Sequence, residues 1–247
     1  MTIKRVGVVG CGLMGSGITE VCAKSGYTVV VQEASSDLLQ AGMKRITGSL
    51  ERAVSKGKLS AEDRDACLAR IMGATDLGAM HECDLVIEAI TEKIDLKRHV
   101  FAELDRITPP HAILASNTSS LAITDMAAAT KRPDKVLGLH FMQPVPVMRL
   151  LEMVRTFLTS EETFQAAKAF GESLGKTIVV SKDTPGFIVN LLLIPYLLQA
   201  IAELEKGVAT KEDFDTAIQL GLSHPMGPFT LLDFVGLDTT LFIADAV

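Results

Sequence analysis

The chain has 247 residues and a formal net charge of −6; 48% of its residues are hydrophobic and 22% are charged. This composition is typical of a folded globular protein and excludes an intrinsically disordered chain. The length suits one large domain or two smaller ones. No segment is rich in both basic and aromatic residues, so we expect no nucleic-acid partner.

The cysteines show no arrangement that binds a metal, because Cys11, Cys22, Cys67 and Cys83 form no CxxC pair. We therefore expect no metal site and four reduced thiols, as in a cytoplasmic protein. The N-terminal residues run directly into a strand pattern, which is not the layout of a signal peptide.

The longest uncharged stretch, residues 184–202, has the length of a membrane span. It is interrupted by Asn190, Pro195 and Gln199, and no second stretch of this kind exists. We expect a buried core or interface helix here, and no membrane partner.

Strand and helix patterns alternate over the first part of the chain. Residues 3–9 and the β-branched residues 27–33 are predicted as strands, and residues 13–26 between them have helical periodicity. This order within about thirty residues is typical of a parallel βαβ unit. Residues 36–73 are predicted as a helical hairpin inserted after the second strand, with Ser60 as the cap of its second helix.

Further strands and helices follow before the pattern changes. Short apolar strands are predicted at 84–90, 112–116, 135–141 and 176–180, with a helix at 95–107. Alternating strands and helices predict a doubly wound α/β sheet. After Pro185 the strand patterns stop, and only helical patterns broken by turns remain. We therefore predict an α/β domain over residues 1–185 and a small all-α domain over residues 186–247.

The turn after the first strand, GCGLMG, carries Gly10, Gly12 and Gly15. It follows a strand and opens a helix, as in Rossmann-type dinucleotide sites, where the helix N-terminus faces the phosphates. Glu33 ends the second strand, where a carboxylate accepts hydrogen bonds from the ribose hydroxyls and repels a 2′-phosphate. This favours NAD over NADP. A glycine-rich turn of structural use only is the alternative, and FAD-binding proteins share the same turn.

His140 lies at the end of a predicted strand, inside the apolar run GLHFMQPVPVMRLLEM. If the prolines turn the chain back, a second strand brings Glu152 beside it. A carboxylate on one imidazole nitrogen fixes the tautomer, so that the other nitrogen can act as a base. The alternative is a histidine buried for packing alone. The polar run at 115–121 also follows a strand, at the edge where such sheets bind ligands, although Ser120 can instead cap the next helix.

Six motifs occur in chain order along essentially the whole sequence. They are GCGLMGSGI, IEAITE, ASNTSSL, GLHFMQPVPVMRLLE, DTPGFIVN and GLDTT. Together they resemble the L-3-hydroxyacyl-CoA dehydrogenases, including the short-chain 3-hydroxybutyryl-CoA enzymes. The resemblance implies an NAD-dependent oxidoreductase of fatty acid and lipid metabolism that interconverts (S)-3-hydroxyacyl-CoA and 3-ketoacyl-CoA. It also implies a Rossmann-type NAD-binding domain followed by an all-α substrate and dimerisation domain.

The resemblance assigns roles to particular residues. It implies that His140 is the general base, that Glu152 orients it, and that Ser119 and Asn190 position the reacting acyl group. The residues expected to bind NAD are Gly10, Gly12, Leu13, Met14, Gly15, Glu33, Glu92, Lys97, Ser119 and Gln143. The residues expected to bind CoA are Ser49, Lys56 and Ser119, and a lysine at such a place also suits the CoA phosphates. A homodimer formed through the C-terminal helices is implied as well.

Three features depart from the family pattern. Gln143 stands where the family has Asn, and Leu191 stands where it has Arg. The family continues beyond the position of Val247, so we expect the all-α domain to be truncated relative to theirs. Two other interpretations stay open on the sequence. One is an NAD-dependent dehydrogenase of a free hydroxy acid of the gulonate type, and the other is a non-catalytic protein on this fold.

Overall fold

The computed structural model describes residues 2–245 and divides into two compact units. The first unit extends to Thr118 and resumes over Ala122–Asp183. The second unit contains Ser119–Leu121 and the chain from Thr184 onward. The chain therefore passes between the units on either side of Ser119–Leu121 and again after Asp183.

Among the described residues, one eight-stranded sheet organises the first unit. Its strands are β1 (Arg5–Val9), β2 (Thr28–Gln32), β3 (Ile71–Ala74), β4 (Leu85–Glu88), β5 (Ile113–Ser116), β6 (Val136–Phe141), β7 (Leu150–Arg155) and β8 (Thr177–Lys182). They lie in the order β3-β2-β1-β4-β5-β6-β7-β8. Every adjacent pair is parallel except β6 and β7, which are antiparallel. The predicted Rossmann-type α/β sheet is confirmed.

The central strands are apolar because both of their faces are covered. All four residues of β4 and of β5 are buried, as are the last four residues of β1. A strand buried on both faces shows a continuous run of branched apolar residues instead of alternation. The side chains of Val6, Val8, Leu85 and Ile113 have no exposed surface, and they form the centre of the core.

Helices connect these strands. In the first unit they are α1 (Leu13–Lys24), α2 (Ser36–Ser55), α3 (Ala61–Leu68), α4 (Ile94–Ile107), α5 (Ile123–Ala127) and α6 (Glu161–Ser173). Serine side chains cap three of them. The hydroxyls of Ser35, Ser60 and Ser160 accept the backbone N–H three residues further on, at the starts of α2, α3 and α6. The predicted helix start at Ser60 is therefore confirmed.

The predicted helical hairpin is correct for α2 and α3 but wrong for the last residues of the 36–73 segment. Ile71–Ala74 forms β3 and pairs in parallel with β2, from Val29 opposite Ile71 to Gln32 opposite Ala74. The sequence IMGA is short and contains a glycine, so it shows no strand periodicity. This segment becomes a strand because its backbone pairs with β2 at the edge of the sheet.

Asp183, and not Ser120, caps helix α5. The helix begins at Ile123, and the Asp183 carboxylate accepts the N–H groups of Ile123 at 2.8 Å and Thr124 at 2.7 Å. It also accepts the hydroxyl of Thr124 at 2.6 Å. The capping role considered for Ser120 is therefore wrong, because a carboxylate 60 residues away along the chain takes that position.

The described part of the second unit is helical, as predicted. Its helices are α7 (Val189–Glu205), α8 (Lys211–Leu222), α9 (Pro228–Val235) and α10 (Leu237–Ala244). Helix α7 takes up most of the long uncharged stretch and buries Asn190, Ile194, Leu197 and Ala200 at helical spacing. Within residues 2–245, no helix combines the length and hydropathy needed to cross a membrane.

Candidate active site

Close backbone packing builds the glycine turn between β1 and α1. Gly10 has a φ of +93°, and its N–H donates to the carbonyl oxygen of Gln32 at 2.8 Å, which ties the turn to β2. A Cβ on Gly15 would lie 1.8 Å from the carbonyl oxygen of Gly10, so only glycine allows this approach. A Cβ on Gly12 would meet nothing within 4 Å. The space over Gly12 is therefore open.

Glu33 holds the same turn from the end of β2. Its Oε2 atom accepts the N–H of Cys11 at 2.8 Å, and its Oε1 atom accepts the N–H of Ala34 at 2.7 Å. Burial, with a smaller effect of the Glu33 charge, raises the pKa of the Cys11 thiol to about 11. Cys11 therefore stays a neutral thiol inside the turn, and it brings no negative charge of its own to a phosphate.

The chemistry of this turn fits a dinucleotide. Helix α1 begins at Leu13 without a side-chain cap, because the preceding residue is Gly12. The first N–H groups of a helix, here those of Leu13 and Met14, need acceptors and favour negative charge. A pyrophosphate over the open space at Gly12 would supply both, and Glu33 would offer a carboxylate to the ribose hydroxyls.

His140 and Glu152 lie opposite each other in the antiparallel pair of β6 and β7. Nδ1 of His140 is 2.6 Å from Oε2 of Glu152, and the two side chains are 6% and 1% exposed. When the carboxylate accepts a hydrogen bond from Nδ1–H, the imidazole is held in the tautomer whose Nε2 can take up a proton. The strand that returns after the prolines brings the two residues together as predicted.

Asn117 defines the position of the end of β6. Its Oδ1 atom accepts the N–H of Phe141 at 2.9 Å, and its own backbone N–H donates to the carbonyl oxygen of Glu88 at 2.8 Å. Asn117 therefore joins the carboxyl ends of β4, β5 and β6. Because Phe141 follows His140 directly, this amide restrains the backbone that carries the imidazole.

A buried ion pair lies at the carboxyl ends of β4 and β5. Oε1 of Glu88 accepts the Lys97 ammonium at 2.6 Å, and Oε2 accepts the Ser116 hydroxyl at 2.6 Å. The Lys97 ammonium is also 3.5 Å from Oε2 of Glu92, which accepts the Thr118 hydroxyl at 2.7 Å. The network therefore joins Glu92 and Lys97, the two residues expected near the cofactor.

Sequence reasoning does not identify Glu88 or Ser116 as part of this site. The available signal was an acid at the end of the apolar strand LVIE, and a serine at the end of the neighbouring strand ILAS. Polar residues at the ends of neighbouring parallel strands meet at one edge of the sheet. The two polar residues can be recognised as neighbours only once the strand order of the sheet is known, because that order places β4 beside β5.

Ser119 and Asn190 are neighbours within the second unit. Nδ2 of Asn190 lies 3.5 Å from the backbone oxygen of Ser119, and Asn190 is 9% exposed. The two residues expected to position the acyl group are therefore together. This contact uses the backbone of Ser119, and the function of its hydroxyl stays a prediction.

A cavity of about 330 Å³ in the first unit is lined by α1, α2 and the loop after β6. Its lining includes Ser49 and Arg52 of α2, and Gln143 of the loop. Ser49 and Gln143, expected to bind CoA and NAD respectively, therefore line the same cavity. Lys56 lies at the C-terminal end of α2 as an exposed residue and is not part of this lining.

Comparison with known proteins assigns the family. The family model described as 3-hydroxyacyl-CoA dehydrogenase, NAD binding domain, matches residues 5–184. The chain belongs to the 3-hydroxyacyl-CoA dehydrogenase family. The C-terminal domain model of the same family matches residues 186–247. The resemblance drawn from the motifs is confirmed, as are the cofactor and the enzyme class. This protein is an NAD-dependent 3-hydroxyacyl-CoA dehydrogenase.

Individual relatives support the same family. A 3-hydroxybutyryl-CoA dehydrogenase of Mycobacterium tuberculosis is 54% identical over 245 residues, which cover 98% of this chain and 86% of that protein. The human mitochondrial hydroxyacyl-coenzyme A dehydrogenase is 49% identical over 249 residues, with 98% and 79% covered. The crystal structure of a (S)-3-hydroxybutyryl-CoA dehydrogenase from Ralstonia eutropha matches with a TM-score of 0.96 at 42% identity, over 99% of this chain and 87% of that one.

Proposed function

We propose that this 3-hydroxyacyl-CoA dehydrogenase uses His140 as its general base and Glu152 as the residue that orients it. In the oxidative direction, the hydroxyl on C3 of a (S)-3-hydroxyacyl-CoA gives its proton to Nε2 of His140, C3 gives up a hydride, and a 3-ketoacyl-CoA forms. Bound NAD⁺ supplies the acceptor for that hydride. The observation that carries this proposal is the 2.6 Å contact between His140 and Glu152 at the end of β6.

Glu152 contributes through charge as well as orientation. When His140 takes up the substrate proton it becomes an imidazolium, and a carboxylate 2.6 Å away stabilises that cation. Both side chains are nearly excluded from water, so their interaction is stronger than between exposed groups. In the reductive direction, the same imidazolium returns its proton to the oxygen that develops negative charge on C3.

The proposed cofactor site uses the glycine turn and the network beside it. The residues proposed to bind NAD are Gly10, Gly12, Leu13, Met14, Gly15, Glu33, Glu92, Lys97, Ser119 and Gln143. Backbone N–H groups bind the pyrophosphate, and the Glu33 carboxylate accepts the adenosine ribose hydroxyls. Because Glu33 already accepts the N–H of Cys11, ribose binding and the shape of the turn depend on the same carboxylate.

The proposed substrate residues fall into two groups. Ser119 and Asn190 position the reacting acyl group, and Ser49 and Lys56 bind the CoA moiety together with Ser119. Support for the CoA residues comes from charge: Lys56 is an exposed cation at the end of α2, and Arg52 on the same helix lines the cavity that contains Ser49. Cations on one helix suit the CoA phosphates.

The proposal extends to the assembly of the enzyme. We divide the chain near Pro185 into an NAD-binding domain and a helical domain for substrate binding and dimerisation. The helical unit carries large apolar side chains at its surface: Leu220, Phe234, Leu237 and Leu241 are 63% to 80% exposed. Exposed apolar patches mark protein contacts, and a second copy of this chain is the proposed partner. The four cysteines, all free and buried, suit the reducing cytoplasm.

The deciding experiment is NADH consumption with 3-ketoacyl-CoA substrates. Acetoacetyl-CoA is compared with a longer 3-ketoacyl-CoA, and gulonate with NAD⁺ serves as the free hydroxy acid. We expect turnover with acetoacetyl-CoA and none with gulonate. Turnover with gulonate alone would favour the free-acid reaction, and no turnover with any of these would support a non-catalytic protein. Sedimentation velocity at the assay concentration tests the dimer, and an active monomer would contradict it.

A further inference from the structure

Lys176 is a buried lysine that belongs neither to the catalytic dyad of His140 and Glu152 nor to the proposed cofactor residues. It precedes β8 and is 9% exposed. Its ammonium donates to the carbonyl oxygens of Val145 at 2.5 Å and Met148 at 2.8 Å. A buried ammonium is costly unless its hydrogen bonds are made, so these two contacts fix the geometry of both partners.

Both carbonyl groups belong to the loop between β6 and β7, residues 142–149. Within it, the N–H groups of Val147 and Met148 donate to the carbonyl oxygen of Pro144, both at 3.0 Å, which forms a tight turn. The loop joins the strand that carries His140 to the strand that carries Glu152. Because Val147 is 72% exposed, packing on the outer side of the turn contributes little to its position.

One side of the loop forms a wall of the cavity of about 330 Å³ described above, through Gln143, Pro144, Val145 and Pro146. The same lining contains Ser49 and Arg52 of α2. Val145 is 1% exposed and lies against α1. A Cβ added to Gly17 of that helix would come within 2.9 Å of the Cβ of Val145. The width of the cavity therefore depends on where the loop is held.

A second cavity, of about 190 Å³, is lined by the other part of the same loop. Its lining includes Pro146–Arg149, residues 174–176, Val21 and Lys24 of α1, and Ser25 directly after that helix. The loop therefore has empty space beside it on two sides. Close packing normally holds a loop of this kind, but here the ammonium of Lys176 bridges its two halves next to that space.

We propose that Lys176 is a positioning residue for the acyl-CoA substrate: it holds the 142–149 loop in place and so sets the part of the cavity lining that this loop contributes beside Ser49. This inference rests on the proposed function of that cavity. Without the ammonium, the two carbonyl groups lose their donor, and the loop relaxes into the 190 Å³ cavity. The strands that carry His140 and Glu152 keep their pairing, because it is made by their own backbone. Substrate binding weakens while the chemical step is preserved.

Steady-state kinetics with acetoacetyl-CoA and NADH test the proposal in Lys176→Met. We expect KM for acetoacetyl-CoA to rise about tenfold, the effect of losing charge-assisted hydrogen bonds, with kcat changed less than about twofold. Lys176→Arg keeps donors and charge and is expected to recover part of the loss. The matched control is Lys168→Met, which removes a lysine with a 42% exposed side chain on α6 and is expected to leave KM unchanged.

Equal KM values for Lys176→Met and Lys168→Met would overturn the proposal, as would a loss confined to kcat. Hydrogen exchange on the wild-type chain gives a second test that requires no variant to fold. The amides of Val147 and Met148 are expected to exchange far more slowly than those of an open loop, and exchange at the open-loop rate would also overturn it. If the wild type reduces no 3-ketoacyl-CoA, the proposed function fails, and the comparison of loop exchange between the wild type and Lys176→Met then decides whether Lys176 holds the loop: faster exchange in the variant supports it, and equal exchange overturns it.

Discussion

Glu152 faces His140 because β6 and β7 are antiparallel and in register at these two residues, with Oε2 and Nδ1 2.6 Å apart. Side chains alternate between the two faces of a strand, so a shift of one residue would place them on opposite sides of the sheet. The dyad therefore depends on the register of one strand pair. Asn117, directly after β5, holds the end of β6 from the other side, since it accepts the N–H of Phe141.

Removal of either member of the dyad tests the catalytic proposal. His140→Ala is expected to lower kcat by about 10²- to 10⁴-fold, the usual contribution of a general base. Glu152→Gln keeps the shape of the side chain but loses the charge that stabilises the imidazolium, so a comparable loss is expected. Stopped-flow NADH binding and kcat are the measurements, and NADH affinity should stay within about twofold in both variants.

His99→Ala is the control for these variants, because His99 is an exposed histidine on α4. It should retain wild-type kcat. If His140→Ala turned over acetoacetyl-CoA as fast as His99→Ala, the buried pair would be structural only.

Alanine at Gly12 and at Gly15 should have different consequences. A Cβ on Gly15 meets the carbonyl oxygen of Gly10 at 1.8 Å, so Gly15→Ala is expected to destabilise the fold by at least about 2 kcal/mol through overpacking. A Cβ on Gly12 meets nothing within 4 Å, so Gly12→Ala should keep its melting temperature and lose NADH affinity. Thermal unfolding and NADH fluorescence titration separate the two effects. Full NADH affinity in folded Gly12→Ala would argue against a pyrophosphate over this residue.

Glu33→Gln tests the choice of cofactor. Hydrogen bonds to a charged group contribute about 1.5–3 kcal/mol, so kcat/KM for NADH should fall about 10- to 100-fold. Repulsion of the 2′-phosphate is relieved at the same time, so kcat/KM for NADPH should fall much less or rise. The ratio of the two values in parallel assays is the measurement, and Glu82→Gln on the protein surface is the control. An unchanged ratio would mean that Glu33 has no part in cofactor selection.

The buried Glu88–Lys97 pair should be coupled energetically. Glu88→Gln removes the nearer counter-ion of the Lys97 ammonium, which is 1% exposed, and leaves it the Glu92 carboxylate at 3.5 Å. The loss of one partner of a buried pair costs about 3–5 kcal/mol. Lys97→Met should cost a similar amount, while the double variant should be less destabilised than the sum of the two. Urea unfolding of the four proteins measures this cycle. Additive effects would show that the two side chains act independently.

Buried thiols should make the protein less stable at alkaline pH. Burial is the main cause that raises the pKa of Cys83 from its ordinary 9.0 to about 12. The folded-state pKa of this thiol lies above its unfolded value. The contribution of the buried thiol to the free energy of unfolding is therefore fully present below about pH 9 and is lost as the pH rises through about 12. In this range the unfolded chain releases the thiol proton and the folded chain retains it.

The comparison of wild type with Cys83→Ala isolates this effect from other groups that titrate at high pH. The difference between their free energies of unfolding should shrink by about 1.4 kcal/mol for each pH unit above about 9. Urea unfolding at pH 8 and at higher pH values provides the data. A difference that does not change with pH would show that the Cys83 thiol titrates equally in the folded and unfolded chains.

Local patterns in the chain were sufficient for most of the elements. The βαβ unit of β1, α1 and β2 could be predicted because apolar runs, helical periodicity and the glycine turn are all local features. The short strand β3 could not, since its four residues are ordered by pairing with β2. The cap of α5 was missed for a related reason: Asp183 is 60 residues from Ile123 in the chain.

The sequence by itself determined the family, the glycine turn, Glu33 and the pairing of His140 with Glu152, because motif spacing and two prolines between apolar runs are enough to predict them. Only the tertiary structure decided that Lys97 pairs with Glu88, that Asn117 holds Phe141, and that Lys176 holds the loop after β6. The last two contacts join residues 24 and 31 positions apart. Such contacts follow from strand order and loop packing, and no local pattern of apolar and polar residues encodes either one.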